Sequence, residues 1–239
     1  LNAMPGFKER LEWYLENRPD LASLVSRWHE PGAGDRRLIS LTRGHRMKCL
    51  LRRMLHPDEF LSDYGVRSVS KFHGTHPYVL RQEDGSERTV RYDPAESQTN
   101  MFGGNSNWRG PVWLPINYLL IESLQKFHHY YGDDFKVECP TGSGRYLTLD
   151  EIANELSNRL IQLWLRDGNG ARPFERSCGD ALSAEHDRDH YWFHEYFHGD
   201  SGGGLGASHQ TGWTGLVAKL IQQQGTSGTI AKRDPFSDL

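Results

Sequence analysis

Residues 107–131 read NWRGPVWLPINYLLIESLQKFHHYY, and the fold turns on how this stretch is read. Trp113, Ile116, Leu119, Leu120, Leu124 and Phe127 recur at helical spacing, which predicts a helix over Val112–Tyr131 with a broad apolar face. Working outward, residues 6–28 carry a similar period. Pro19 sits between its two apolar sets and should restart the helix there. Arg46–Leu55 predicts another helix, and Thr148-Leu149-Asp150-Glu151 reads as a capping box that opens one running to about Arg166. A last helix is expected from about His209 to Gln224. Asp84-Gly85 between Tyr78-Val79-Leu80 and Thr89–Tyr92, and Thr141–Gly144 within Val137–Leu147, predict small β-hairpins. The expected class is all-α with hairpins in the loops. Residues 1–239 should form one domain, with 225–239 a flexible tail.

Composition narrows the function. The chain has 28 basic and 31 acidic residues among 239, a formal charge of −3, so no basic face is forced and neither nucleic acid nor an anionic membrane is an expected partner. Cys49, Cys139 and Cys178 are widely spaced with no CxxC. Neither a disulfide framework nor a cysteine-rich metal site is implied, and a cytoplasmic setting is the default expectation. No apolar run approaches a membrane span. Seven Trp, ten Tyr and ten Phe are more than a core of this size needs, and Trp beside Gly, Arg and Asn suits stacking on sugar rings.

Residues 191–213, YWFHEYFHGDSGGGLGASHQTGW, hold three competing signatures. His194-Glu195-Tyr196-Phe197-His198 matches HExxH, the pattern of a zinc metallopeptidase, which needs both histidines on one face of a long helix plus a third ligand. Gly199 follows at once and Gly202-Gly203-Gly204 argue against a helix there, so no metal is assigned. Gly199–Gly203 matches GDSGG of serine proteases, which works only on a β-barrel supplying His and Asp from elsewhere. In a helical chain it reads better as a turn, with glycine providing positive φ and Asp or Ser bonding the backbone. The third reading keeps Glu195 as a carboxylate in an aromatic, glycine-rich setting with Trp213 downstream. Residues 102–113 have the same character, and both segments lead into apolar helices, which puts them at one end of the helical array. Arg109 could address sugar hydroxyls or pair with a carboxylate, and Trp108 could stack on a sugar or sit in the core.

Taken together, Asp63–Ser70, Asn107–Trp113 with Asn117-Tyr118, and Glu195-Tyr196 followed by Thr211-Gly212-Trp213-Thr214 resemble glycoside hydrolase family 63. The resemblance is to its bacterial branch related to mannosyl-oligosaccharide glucosidase and mannosylglycerate hydrolase. The resemblance implies an (α/α)6 toroid, or a C-terminal portion of one, and inverting hydrolysis of α-glucosides or α-mannosides. It implies Glu195 as general base, with Asn107, Trp108, Arg109, His209, Gln210 and Trp213 binding the sugar and no cofactor. Inversion needs a second carboxyl about 6.5–9.5 Å away as the acid. The family's acid is an Asp in a Trp- and Gly-containing motif far upstream, and counting back from Glu195 passes the start of this chain. The expectation is therefore a C-terminal half-site, completed by the remaining N-terminal part of the domain or covered by self-association. The alternative from another class is a non-catalytic carbohydrate-binding or accessory fragment.

Overall fold

The computed structural model describes residues 4–25, 30–97, 107–177 and 190–227. Its helices are α1 (Pro5–Asn17), α2 (Pro19–Ala22), α3 (Gly44–Met54), α4 (Leu114–Tyr131), α5 (Leu149–Gln162), α6 (Thr211–Thr214) and α7 (Val217–Ser227). Strands β1 (Leu61–Ser62) and β2 (Gly65–Val66), β3 (Tyr78–Arg81) and β4 (Glu87–Val90), β5 (Lys136–Glu138) and β6 (Tyr146–Thr148), and β7 (Tyr196–Phe197) and β8 (Gly204–Leu205) form antiparallel pairs. The architecture is thus helical with four small strand pairs, and no closed barrel occurs among the described residues. None of the described helices is long and apolar enough to cross a membrane.

Local chemistry accounts for most boundaries. Pro19 starts α2 as expected. The Thr148 hydroxyl accepts from the Glu151 amide at 3.2 Å while the Glu151 carboxylate accepts from the Thr148 amide at 2.7 Å, the reciprocal cap that opens α5. Gly132, at φ 68°, closes α4, its N–H bonding the His128 carbonyl. The Asp84-Gly85 turn joins β3 to β4 with Tyr78 opposite Val90. Lys136 lies opposite Thr148 in the second expected hairpin.

Several expectations differ in extent: α3 spans Gly44–Met54, not Arg46–Leu55, and α5 ends at Gln162, not near Arg166. α4 begins at Leu114, not Val112, because Val112 exchanges both backbone hydrogen bonds with Phe197, at 2.8 and 3.0 Å, and so is held extended. The helix expected over His209–Gln224 is split into α6 and α7. His209 is bridged to Phe193 and the Gln210 amide donates to the Phe193 carbonyl, which keeps both out of the helix. Gly212 and Gly215, each costing about 1 kcal/mol against alanine in a helix interior, weaken the remainder. α7 extends to Ser227, so the tail expected from Gly225 begins as helix; its remainder, from 228, lies outside the described residues, as do Trp28 and Cys178.

α5 is the centre of the packing, lying against α4 and α7. Its Leu149, Ile152, Leu156 and Leu160 are fully buried among Leu114 and Ile121 of α4, Leu220 of α7, and Leu55, Phe174 and Phe197. Asn117 is one of the polar residues that enter this core. Asn117 of α4 accepts from the Val66 amide at 2.7 Å and donates to the Val66 carbonyl at 3.0 Å, so its side chain pairs with β2 as a neighbouring strand would. Gly65 permits the approach: a β-carbon there would lie 2.9 Å from the Asn117 carbonyl oxygen.

Candidate active site

Three extended segments meet beside the N-terminus of α4. Val112 bridges Arg67 on one side and Phe197 on the other, so the WRGPVW segment is clasped between the ends of β2 and β7. This register sets Trp113 against Tyr196, ring centroids 4.8 Å apart, and Trp108 stacks flat on Trp113 at 3.8 Å and 4°. Trp213, from α6, meets Trp113 edge-on at 5.7 Å. Trp113 and Tyr196 are buried, whereas Trp108 is 40% exposed and offers an aromatic face to solvent. The two segments with matching composition do come together, and the aromatic wall is built from both.

The polar residues of the wall hold it in place. Asn107 donates to the carbonyls of Asp93 and Ala95 at 2.8 and 2.6 Å and accepts from the Arg109 amide and Nε at 3.0 and 3.3 Å. Its carbonyl accepts the Trp113 indole N–H at 2.9 Å. Buried Arg109 lies 3.5 Å from the Asp93 carboxylate and donates to the Ser97 hydroxyl at 2.6 Å. In this structure Arg109 therefore serves a carboxylate, and Asn107 braces the backbone.

Glu195 immediately precedes β7 and is half-buried. Its amide donates to the Ala207 carbonyl at 2.8 Å and its carboxylate accepts from the Ala207 amide at 3.3 Å. The next residue carries its phenol into the same region. Burial, reinforced by the charges of Glu96 and Glu195, raises the Tyr196 hydroxyl to about 12 and keeps it protonated. Sequence reasoning gave Tyr196 no role, although its place beside Glu195 in the quoted motif was a signal. Asp93, the partner of Arg109, had none. His209 stacks on Trp192 at 5.1 Å, and Gln210 caps α6 through its carbonyl, which accepts from Trp213 and Thr214.

The protease signatures dissolve on inspection. None of residues 193–198 is helical: Tyr196–Phe197 form β7, and Phe193, Glu195 and His198 donate backbone hydrogen bonds to Ser208, Ala207 and Gly203. The helix that would set two residues four apart about 6 Å from each other on one face, as a shared zinc ion needs, is therefore not formed here. His198 Nδ1 instead accepts from the amides of Asp200 and Ser201 at 3.1 and 3.2 Å. His194 packs against Gly204, and burial lowers it to about 4, with His209 adding a smaller push in the same direction. The described residues contain no group of three or more ligands suited to a metal. GDSGG forms the expected turn: Gly202 has φ 74°, the Ser201 hydroxyl accepts from the Gly203 amide, and Asp200 pairs with Arg67 at 3.0 Å and Lys71 at 3.3 Å.

Residues 38–214, which hold the aromatic wall, Glu195 and Trp213, match the mannosylglycerate hydrolase MGH1-like glycoside hydrolase domain. The chain belongs to that family of glycoside hydrolases. Similar proteins include the uncharacterized YMR196W of Saccharomyces cerevisiae, 50% identical over 93% of this chain. The mannosyl-oligosaccharide glucosidase of the same yeast is 27% identical over 70% of the chain. A probable mannosyl-oligosaccharide glucosidase of Schizosaccharomyces pombe is 22% identical over 74%. This chain spans 21%, 14% and 15% of the lengths of those relatives, respectively. Membership of this family agrees with the resemblance found in the motifs. The glycine-rich hairpin lies within the matched domain.

Proposed function

We propose that this chain is the C-terminal part of an (α/α)6 catalytic domain of an inverting glycosidase, with Glu195 as the general base that activates water. The observation that carries the proposal is the placement of Glu195 beside Tyr196, whose ring continues the Trp108–Trp113 stack, in a chain of a glycoside hydrolase family. Trp108 and Trp213 wall the sugar site, the Asn107–Arg109–Asp93 group fixes that wall, and His209 and Gln210 border it. The substrates are α-glucosides or α-mannosides. The names of the family and of two relatives support an oligosaccharide or a mannosylglycerate-like compound. A general acid from outside the chain completes the reaction.

A cavity of about 310 Å³, lined by Tyr130, Tyr131, Arg43 and His45, lies at the far end of α4 from the aromatic wall. Trp108 of the wall is 40% exposed, and Ile116 and Leu119 of α4 are 45% and 61% exposed, as expected if the rest of the domain or a second copy covers them.

The test is hydrolysis of α-gluco-oligosaccharides and α-mannosylglycerate by the chain with and without the N-terminal remainder of its domain. In the active form, Glu195→Gln should lower kcat by about 10²–10⁴-fold while sugar binding, read by tryptophan fluorescence, persists. Retained turnover would refute the assignment of Glu195. Binding without turnover in every form would favour the second reading, a carbohydrate-binding fragment, which the exposed face of Trp108 also suits.

A further inference from the structure

Glu195 and Ala207 lie just beyond the paired ends of β7 and β8, and the contact between them is double. The backbone of Glu195 donates to Ala207 at 2.8 Å and the backbone of Ala207 returns a hydrogen bond to the Glu195 carboxylate at 3.3 Å. Between β8 and Ala207 stands Gly206, at φ +68°. A β-carbon on Gly206 would lie 2.7 Å from Glu195 Oε2, 2.9 Å from Glu195 Cβ and 2.8 Å from Tyr196 Cε1. Real β-carbons do not approach other atoms so closely, so the carboxylate occupies the space that a side chain at residue 206 would take. Positive φ alone would favour glycine here, but the turn glycines Gly85 and Gly142 have positive φ with no atom within 4 Å. Gly206 differs from them in what it touches.

We propose that Gly206 and Ala207 form a backbone seat that fixes the Glu195 carboxylate, which makes Gly206 a positioning residue for the base. The proposal rests on the reading of Glu195 as that base. The seat works through shape and one amide. Gly206 leaves room for a single placement of the carboxylate beside the Tyr196 ring, and the Ala207 N–H binds it there. A base that must aim a water molecule at a sugar carbon needs such a fixed placement, because misplacing a reacting group by about 1 Å can cost 10²-fold in rate.

The experiment compares Gly206→Ala with Gly142→Ala, which carries the positive-φ cost without the collision. In ¹H–¹⁵N spectra of the chain, the Ala207 amide proton should move upfield in Glu195→Ala and in Gly206→Ala and stay in place in Gly142→Ala. In the form that hydrolyses α-glucosides or α-mannosylglycerate, Gly206→Ala should lower kcat by about 10²-fold with KM within twofold, while Gly142→Ala leaves both unchanged. An Ala207 amide that does not respond to loss of the Glu195 carboxylate overturns the seat. So does unchanged kcat in Gly206→Ala when Glu195→Gln is inactive. If Glu195→Gln is active, the reading of Glu195 as base fails and the amide shifts still decide the seat. Should Gly206→Ala not fold, the Ala207 amide in Glu195→Ala decides the seat by itself: an upfield move supports it, and no response overturns it.

Discussion

Loss of Arg67 should cost the fold heavily for a single substitution outside the apolar core. Its buried guanidinium donates to the carbonyls of Gly199 (3.2 Å), Pro57 (3.1 Å), Glu59 (3.3 Å) and Leu61 (2.7 Å), and to the Asp200 carboxylate (3.0 Å). Arg67→Met keeps the apolar stem and removes all five. Breaking a buried pair from one side typically costs about 3–5 kcal/mol. Here the loss belongs at the lower end, since Asp200 keeps Lys71 and the Glu59 carbonyl keeps the Lys71 amide. About 3 kcal/mol corresponds to a fall in Tm of roughly 6–12 °C for a chain of this size. Circular dichroism melts and urea titrations measure it. The pH dependence adds a second constraint. Burial pushes the Asp200 carboxyl up, but Arg67 and Lys71 outweigh it and hold the group below its usual value. The pair therefore stabilises at neutral pH, and that contribution fades as pH falls below about 4. The gap between wild type and variant should narrow in the same range. A Tm loss under about 2 °C at pH 7, or a gap that widens in acid, would show that Arg67 does not staple the site hairpin to the segment before β2.

Two other outcomes follow from local chemistry. His194 is buried and neutral in the fold, lowered to about 4 against an ordinary 6.5, so the unfolded chain takes up a proton that the native chain resists between those values. Stability should be full above about pH 6.5 and fall as pH drops toward 4, by about 3 kcal/mol at most, since each tenfold change in proton affinity is worth about 1.4 kcal/mol. His194→Gln should flatten that slope in melts from pH 7 to 4, and an unchanged slope would clear His194 of the effect. Thr148→Ala removes one arm of the α5 cap and should cost about 1 kcal/mol, read as a small shift in urea midpoint at constant m-value; no shift would mean that Glu151 alone suffices.

What could be read from the sequence was what depends on neighbours along the chain. The Thr148–Glu151 cap, the Asp84-Gly85 turn, the restart at Pro19 and the apolar stripe of α4 all express interactions within a few residues. The two aromatic segments were legible as a pair through their shared composition. The geometry between them was not, because it depends on Val112 pairing with residues distant in the chain, and a one-residue register carries no local mark. The same long-range pairing removed His209 and Gln210 from the helix that their sequence suggested. Arg109 and Asn107 show a further limit. Their types suit sugar hydroxyls and buried pins equally, and nothing local in the sequence marks Asp93 and Ser97 as the neighbours that the fold brings to them.

The clasp of Val112 between Arg67 and Phe197 also bears on how the protein is made. Each strand of that junction comes from a different third of the chain, so no single stretch can rehearse the site by itself. Contacts of such large sequence separation form slowly, after the entropy of closing long loops has been met. A ribosome-bound chain therefore holds Trp113 without the Tyr196 ring against it until the Glu195 hairpin emerges. During that interval the indole lacks part of the packing that buries it. The hairpin is thus both the segment that carries the carboxylate and the one that closes over Trp113.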